Sequence, residues 1–546
     1  MAIRERALVV SPPRVRLRGD VHTLVMLIQA IFVAVAVRLY FVLRSDFPLN
    51  DGGLFYSMVR DLQIAHYRLP VNTSYNLDGI PFAYPPLAFY VVGLIDSVGP
   101  WSLLGVMRFF PVIVSVLGLG AFVLLCQTML RPKAAIVPAA FVFALLPMAF
   151  VWQIMGGGIT RSLGQLFSIL ALWQAYLLYT RADRRHVLWL AILAGCTVLS
   201  HPEAAWFTAY SIPLLYLFLA RDRRGLINSV LVGLGVLIVT APWWATVLIR
   251  HGISALKPAS DPGWPFYHGI VQLLHLDITR EPTFTMLGGL ALLGAFVCLG
   301  RREYLLPAWV LAIHALQPRA ADQRAVIPLA MLAGIGIIEV VLPLLARVVR
   351  ATTLLRSSSN GLARGVAHFL LDRTWLLQVT LLALTVQSAA STAYAFNPLL
   401  TGLSPDERAA MEWAATSTLR SSPFIVITGE PWFGQDKTSE WFPALTQRVS
   451  VDVVQGYEWV GGFAQRIARH EQLQACATQN SGCLENWALE HNIMFSYVYV
   501  TRRPANIEGV LIDRTAAIQA SLRSDPRYVV VYDGPGAVIF RRVGNP

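Results

Sequence analysis

The chain has 546 residues, 55% of them hydrophobic and only 14% charged, against roughly 25% charged in soluble domains, which excludes a soluble globular enzyme and calls for an integral membrane protein. The net charge of +12 is unevenly spread: residues 395–546 carry 13 basic and 15 acidic side chains, so the basic excess belongs to the first 394 residues. There it clusters in short loops between apolar runs, as the positive-inside rule produces, and nucleic acid is not expected as a partner.

Taken in chain order, Arg4, Arg6, Arg14, Arg16 and Arg18 precede an apolar run. At about 20 residues it is too long for a signal-peptide core, and no small-residue cleavage site follows. It reads as an uncleaved first span, 22–43, with a cytoplasmic N-terminus. Further spans are expected near 103–128, 134–152, 161–180, 186–200, 203–220, 226–249, 284–300, 304–317, 325–346 and 374–394. With these eleven spans, the loops carrying Arg131/Lys133, Arg181/Arg184/Arg185, Arg221/Arg223/Arg224, Arg301/Arg302 and Arg347–Arg373 all face the cytoplasm. Residues 357–361, Ser-Ser-Ser-Asn-Gly, read as a flexible loop on that side.

Residues 85–98 are short and begin Pro-Pro, so they are assigned to an interfacial or re-entrant helix rather than a span. This choice leaves 44–102 as one large external loop. Within it, 54–66 reads as a surface helix with Leu54, Phe55, Met58, Val59 and Leu62 on one stripe.

Beyond the last span the pattern changes to alternating helix and strand. Helices are expected at 405–419 and 461–475, strands at 424–428 and 497–500, and a hairpin over 528–540 around Asp533-Gly534. Cys476 and Cys483 flank a loop-like spacer that suits a local disulfide outside the cytoplasm, while Cys126, Cys196 and Cys298 lie in apolar runs as core thiols. The expected fold class is a polytopic α-helical membrane protein of about 11 transmembrane helices, residues 1–394, followed by an extracytoplasmic α/β domain, 395–546.

Five places on the outer side carry candidate chemistry. In Leu49-Asn50-Asp51-Gly52-Gly53, either Asn50 or Asp51 can cap the helix that follows, or Asp51 can serve as a general base or a ligand for a divalent cation. In 153–165, three glycines and Arg161 at a helix start form a phosphate-binding corner, or merely a close helix packing with a snorkelling arginine. His201-Pro202-Glu203 is either a helix start, with Pro202 in the first turn, or a site for metal or acceptor. Arg319, Asp322 and Arg324 form a hairpin that can hold a lipid phosphate or simply be solvated. The acids and tryptophans of 429–448, Trp432 among them, can line a sugar groove or a domain core. The other histidines show no metal-ligand spacing, and no Walker, dinucleotide-binding or Ser-His-Asp motif is present.

Arg38 closes the first span, Asp51 follows, then the aromatic surface helix, then Gly-Ile-Pro-Phe-Ala-Tyr-Pro-Pro-Leu from Gly79, which includes Tyr84, and then Arg108. This order resembles the GT-C membrane glycosyltransferases, which include protein O-mannosyltransferases, aminoarabinose lipid A transferases and the oligosaccharyltransferase catalytic subunit. The resemblance implies an inverting sugar transfer from a polyprenyl-phosphate donor to a glycan, lipid or protein acceptor, at the outer face of a bacterial-type inner (plasma) membrane. It implies Asp51 as the catalytic acid-motif residue, acting as base or as ligand to Mg or Mn. Arg161, Arg319 and Arg324 are then expected on the donor phosphate, and His201, Glu203, Tyr84 and Trp432 at substrate. Gly52 stands where many GT-C enzymes carry a second acid. The rival reading is a non-catalytic transporter or envelope-glycan assembly protein on the same scaffold; ionisable residues at the outer edge and the lack of internal repeats favour the enzyme.

Overall fold

The apolar runs of the first 394 residues fold as helices, because a backbone surrounded by hydrocarbon must satisfy its own hydrogen bonds. The structure is a computed structural model and describes residues 19–181, 183–257, 267–356, 373–502, 504–507 and 510–543; the loop expected at 357–361 lies outside them. The helices are α1 (Gly19–Val42), α2 (Gly53–Ile64), α3 (Leu87–Val98), α4 (Leu103–Met129), α5 (Ile136–Leu145), α6 (Gly158–Arg181) and α7 (Arg185–Val198). They continue with α8 (Pro202–Leu219), α9 (Arg223–His251), α10 (Tyr267–Leu274), α11 (Met286–Gly300), α12 (Leu305–Leu316), α13 (Ala321–Gly336), α14 (Leu342–Arg356) and α15 (Arg373–Phe396).

By length and composition, five helical stretches among the described residues can cross a membrane: Val21–Val42, Leu103–Met129, Arg223–His251, Pro318–Arg350 and Thr374–Phe396. The chain is therefore a multi-pass membrane protein with fewer long spans than the eleven expected. Several expected spans are shorter apolar helices, among them Arg185–Val198, Met286–Gly300 and Leu305–Leu316. The expected span 134–152 breaks at Leu146, whose ψ of 120° is imposed by the proline that follows, so α5 is only ten residues long. All ten are buried, as suits a helix apolar on every side and packed at the centre of the bundle. By contrast, α9 presents Leu234, Leu237 and Ile238 outward, a surface that suits lipid.

The C-terminal region holds α16 (Pro405–Ser417), α17 (Lys437–Thr446), α18 (Phe463–Ala475), α19 (Ser481–Glu490) and α20 (Ala516–Ser524). Its strands are β1 (Pro423–Ile427), β2 (Val449–Ser450), β3 (Tyr497–Thr501), β4 (Pro504–Ile507), β5 (Val510–Asp513), β6 (Tyr528–Asp533) and β7 (Ala537–Arg542). A five-stranded sheet has the order β2-β1-β3-β7-β6, parallel from β2 to β3 and antiparallel beyond. Alternation sends Ile425, Ile427, Val498 and Val500 to one face, under Leu473, Trp487 and Leu522 of the covering helices. Phe424, Val426 and Tyr499 face the other way and share a core with Met58, Val59 and Leu62 of α2 and Phe89 of α3. The C-terminal sheet and the segment holding α2 and α3 are thus packed on one another. Cys476 and Cys483 are disulfide-bonded, with Cα atoms 5.6 Å apart.

Within this domain His470, 1% exposed, lies between Asp436 and Asp452, with ring nitrogens 3.6 and 3.4 Å from their carboxylates. Burial alone would lower its pKa, but the close approach of Asp452 and the charges of both acids outweigh burial and hold it above 6.5. The stabilisation is complete below pH 6.5 and lost as pH rises through the raised value. His470→Gln is expected to flatten the decline in melting temperature as pH rises above about 6.5; an unchanged slope would place that dependence elsewhere.

Candidate active site

The segment Leu49–Gly53 is gripped from three directions. The Gly156 N–H donates to the Leu49 carbonyl at 2.8 Å, and the Asn50 N–H donates to the Thr401 carbonyl at 2.8 Å. The Trp441 indole N–H donates to the Asn50 carbonyl at 2.8 Å, and the Asn50 amide donates to the Gly434 carbonyl at 2.8 Å. Gly52 has φ +128°, a region closed to other residues, and a Cβ there would lie 2.9 Å from the Gly156 carbonyl carbon. A Cβ on Gly156 would collide with the Asp51 carbonyl oxygen. The glycines therefore let two loops touch backbone to backbone.

That contact aims the Asp51 carboxylate at the start of α6. The Gly157 N–H donates to Oδ1 at 2.9 Å and Arg161 Nη2 donates to Oδ2 at 2.6 Å. The anion occupying this glycine-rich helix N-terminus is therefore the protein's own carboxylate. Arg161 also donates to the Trp152 carbonyl at 3.4 Å and lies over the Trp152 ring, 5.4 Å from its centroid. Trp432, 44% exposed, meets Trp152 edge-on at 6.1 Å.

Neither Asn50 nor Asp51 caps α2. Gly52 holds the N-cap position with no side-chain cap. Its N–H donates instead to Glu440 Oε1 of α17 at 2.9 Å. Glu440 is 5% exposed; burial, and then the charge of Asp51, push its carboxyl up to about 8.

On the other side of Arg161, the Tyr84 hydroxyl is 3.3 Å from Thr160 Oγ1, and its ring meets His201 at 6.4 Å and Trp459 at 5.8 Å. His201 Nδ1 accepts the Ala204 N–H at 3.3 Å, so this nitrogen carries no proton and His201 caps α8, with Pro202 in its first turn. Glu203 faces Arg319 at 3.5 Å and Arg324 at 3.9 Å. Arg324 is 2% exposed, yet its Nε and Nη2 make no hydrogen bond within the protein.

All eight site residues expected from the sequence thus lie in one connected constellation. Asp51 and Arg161 are at its centre, Trp432 joins through Trp152, and Tyr84, His201, Glu203, Arg319 and Arg324 lie on the other side of Arg161. Sequence reasoning missed Glu440 and Trp152. The segment 429–448 stands out for its acids and tryptophans, but no local pattern distinguishes Glu440 from its neighbours.

A divalent metal on Asp51 finds little support in this donor set. Both Asp51 oxygens are taken by N–H donors, as is Glu440 Oε1. Among the described residues no group of three or more His, Cys, Asp or Glu side chains can hold a metal ion. The residues do not build a metal site, and the chemistry below is derived without one.

No family model and no curated protein matches the chain. Solved structures do. The archaeal oligosaccharyltransferase AglB from Archaeoglobus fulgidus, in complex with an inhibitory peptide and a dolichol-phosphate, aligns with TM-score 0.54 and 16% identity over 88% of this chain and 69% of its own. ArnT from Cupriavidus metallidurans bound to undecaprenyl phosphate aligns with TM-score 0.52 and 14% identity over 97% of this chain and 100% of its own. The arabinofuranosyltransferase AftD from mycobacteria aligns with TM-score 0.56 and 15% identity; 95% of this chain covers 42% of AftD. At such identities the likeness is one of fold: the chain shares the architecture of these solved structures.

Proposed function

We propose that the chain is a glycosyltransferase that moves a sugar from a polyprenyl-phosphate donor to an acceptor at the outer face of the plasma membrane. In this reading the N-terminus is cytoplasmic, and residues 395–546 form an extracytoplasmic domain after a membrane domain of residues 1–394. The observation that carries it is the Asp51 carboxylate, held by the Gly157 N–H and Arg161 beside a buried arginine with unused donors. This stands in a fold shared with enzymes whose structures hold dolichol-phosphate and undecaprenyl phosphate.

The proposed chemistry uses the constellation as it stands. The donor phosphate lies against Arg324 and Arg319, which displace part of their contact with Glu203 to neutralise charge as the sugar–phosphate bond breaks. The acceptor nucleophile forms the new bond at the anomeric carbon and passes its proton to Asp51. Arg161, engaged by Asp51 rather than free for phosphate, holds that carboxylate in its orientation. Trp432 and Trp152 offer apolar faces to a sugar ring, and Tyr84 and His201 border the acceptor side. The acceptor is a glycan, lipid or protein.

The engagement of both Asp51 oxygens also suits a quiet scaffold that binds lipid-linked sugars for transport or envelope-glycan assembly. Purified protein offered a panel of polyprenyl-phosphate sugars separates the two. The enzyme releases polyprenyl phosphate as sugar appears on an acceptor. Donor binding without release from any member of the panel would sink the catalytic reading.

A further inference from the structure

Glu440 is a buried acid that reaches from the C-terminal domain into the first loop. Burying an acid is costly unless hydrogen bonds compensate, so its place needs a reason. Its Oε1 accepts the Gly52 N–H at 2.9 Å. This is an orphan donor at the start of α2, where the N-cap residue is a glycine with no side chain to cap the helix. Glu440 thus supplies, across 388 residues of sequence, the cap that Gly52 lacks.

The neighbouring contacts make this a clamp. The Tyr75 hydroxyl donates to the Glu440 carbonyl at 2.7 Å, and the Trp441 indole N–H holds the Asn50 carbonyl at 2.8 Å. The Gly53 backbone lies against the Glu440 carbonyl so closely that a Cβ would meet it. Asp51 lies between the two held peptides, at Asn50 and Gly52. Its carbonyl is wedged against Gly156, so a small shift of the Gly52 peptide has to turn the Asp51 backbone and its carboxylate with it.

We infer that Glu440 is a positioning residue, through which the C-terminal domain caps α2 and sets the direction of the Asp51 carboxylate. Its effect on turnover rests on the proposed function; its effect on the loop does not.

The test uses full-length protein in detergent and three variants. Glu440→Ala removes the cap, Glu440→Asp withdraws the carboxylate by one methylene, and Glu440→Gln keeps an acceptor oxygen in place. Hydrogen exchange over 50–56 is expected to rise at least about tenfold in Glu440→Ala and Glu440→Asp and to stay near wild type in Glu440→Gln. Sugar transfer follows the same order: kcat falls by about tenfold to a hundredfold in the first two, with KM within about twofold, and Glu440→Gln rescues. Should Glu440→Ala not fold, the Asp and Gln variants carry the comparison alone. Unchanged exchange over 50–56 in both the Ala and Asp variants overturns the clamp. A Glu440→Gln protein as slow as Glu440→Asp, with normal exchange, overturns the positioning role, since the negative charge itself is then required. If wild type transfers no sugar at all, the exchange pattern still reads the clamp, and only the proposed function fails.

Discussion

Asp51→Asn is expected to lower sugar transfer by about a hundredfold or more while leaving the protein folded, in the range lost when a positioned general base is removed. Asparagine keeps the shape and an oxygen for the Gly157 N–H, which donates at 2.9 Å. It cannot take a proton from the acceptor, and it replaces the 2.6 Å ion pair with Arg161 by a neutral contact. Both side chains are mostly buried, at 21% and 15% exposure, so losing the charge costs on the order of 2 kcal/mol, within what a folded domain tolerates. Kinetics from one donor concentration series, beside a melting curve, check both halves. Full turnover in the variant would remove Asp51 from the reaction; lost turnover with a collapsed melting temperature would make its role structural.

Arg324→Gln is expected to lower kcat/KM for the donor by about a hundredfold to a thousandfold, the cost typical of removing a donor aimed at developing negative charge. A guanidinium that is 2% exposed, 3.9 Å from its nearest acid and with two nitrogens unused, is poorly compensated by the protein alone. A phosphate would satisfy it. Glu203→Gln should act in the opposite direction on binding, because it frees Arg319 and Arg324 from their acid and lets the donor compete less. Binding of polyprenyl phosphate to both variants, measured beside turnover, reads this contrast. Equal affinity in Arg324→Gln and wild type would put the phosphate elsewhere.

Local patterns in the chain were informative about elements and less so about their extent. The helix expected at 405–419 is Pro405–Ser417, and the one expected at 461–475 is Phe463–Ala475. The hairpin expected over 528–540 is β6 and β7, paired antiparallel. Periodicity works there because each element buries one face, which writes a repeat into the sequence. It fails for β2, two residues long, and for 134–152, where hydropathy runs on through the break at Leu146-Pro147. It is equally silent on Glu440, whose partner is a backbone N–H and leaves no mark on the residue type of Gly52.

Composition and hydrophobic patterning by themselves determined that this is a membrane protein with an α/β appendage, and that Asp51 follows its first apolar helix. These properties depend on how water and hydrocarbon divide a chain locally. Only the tertiary structure decided what Asp51 meets: a glycine N–H 106 residues away and an arginine 110 residues away, with the loop capped by an acid from the far end of the chain. The absent second acid at Gly52 acquires a physical reason in the same way. A side chain there would strike Gly156, so the position keeps its glycine and the neighbouring carboxylate arrives from Glu440 instead.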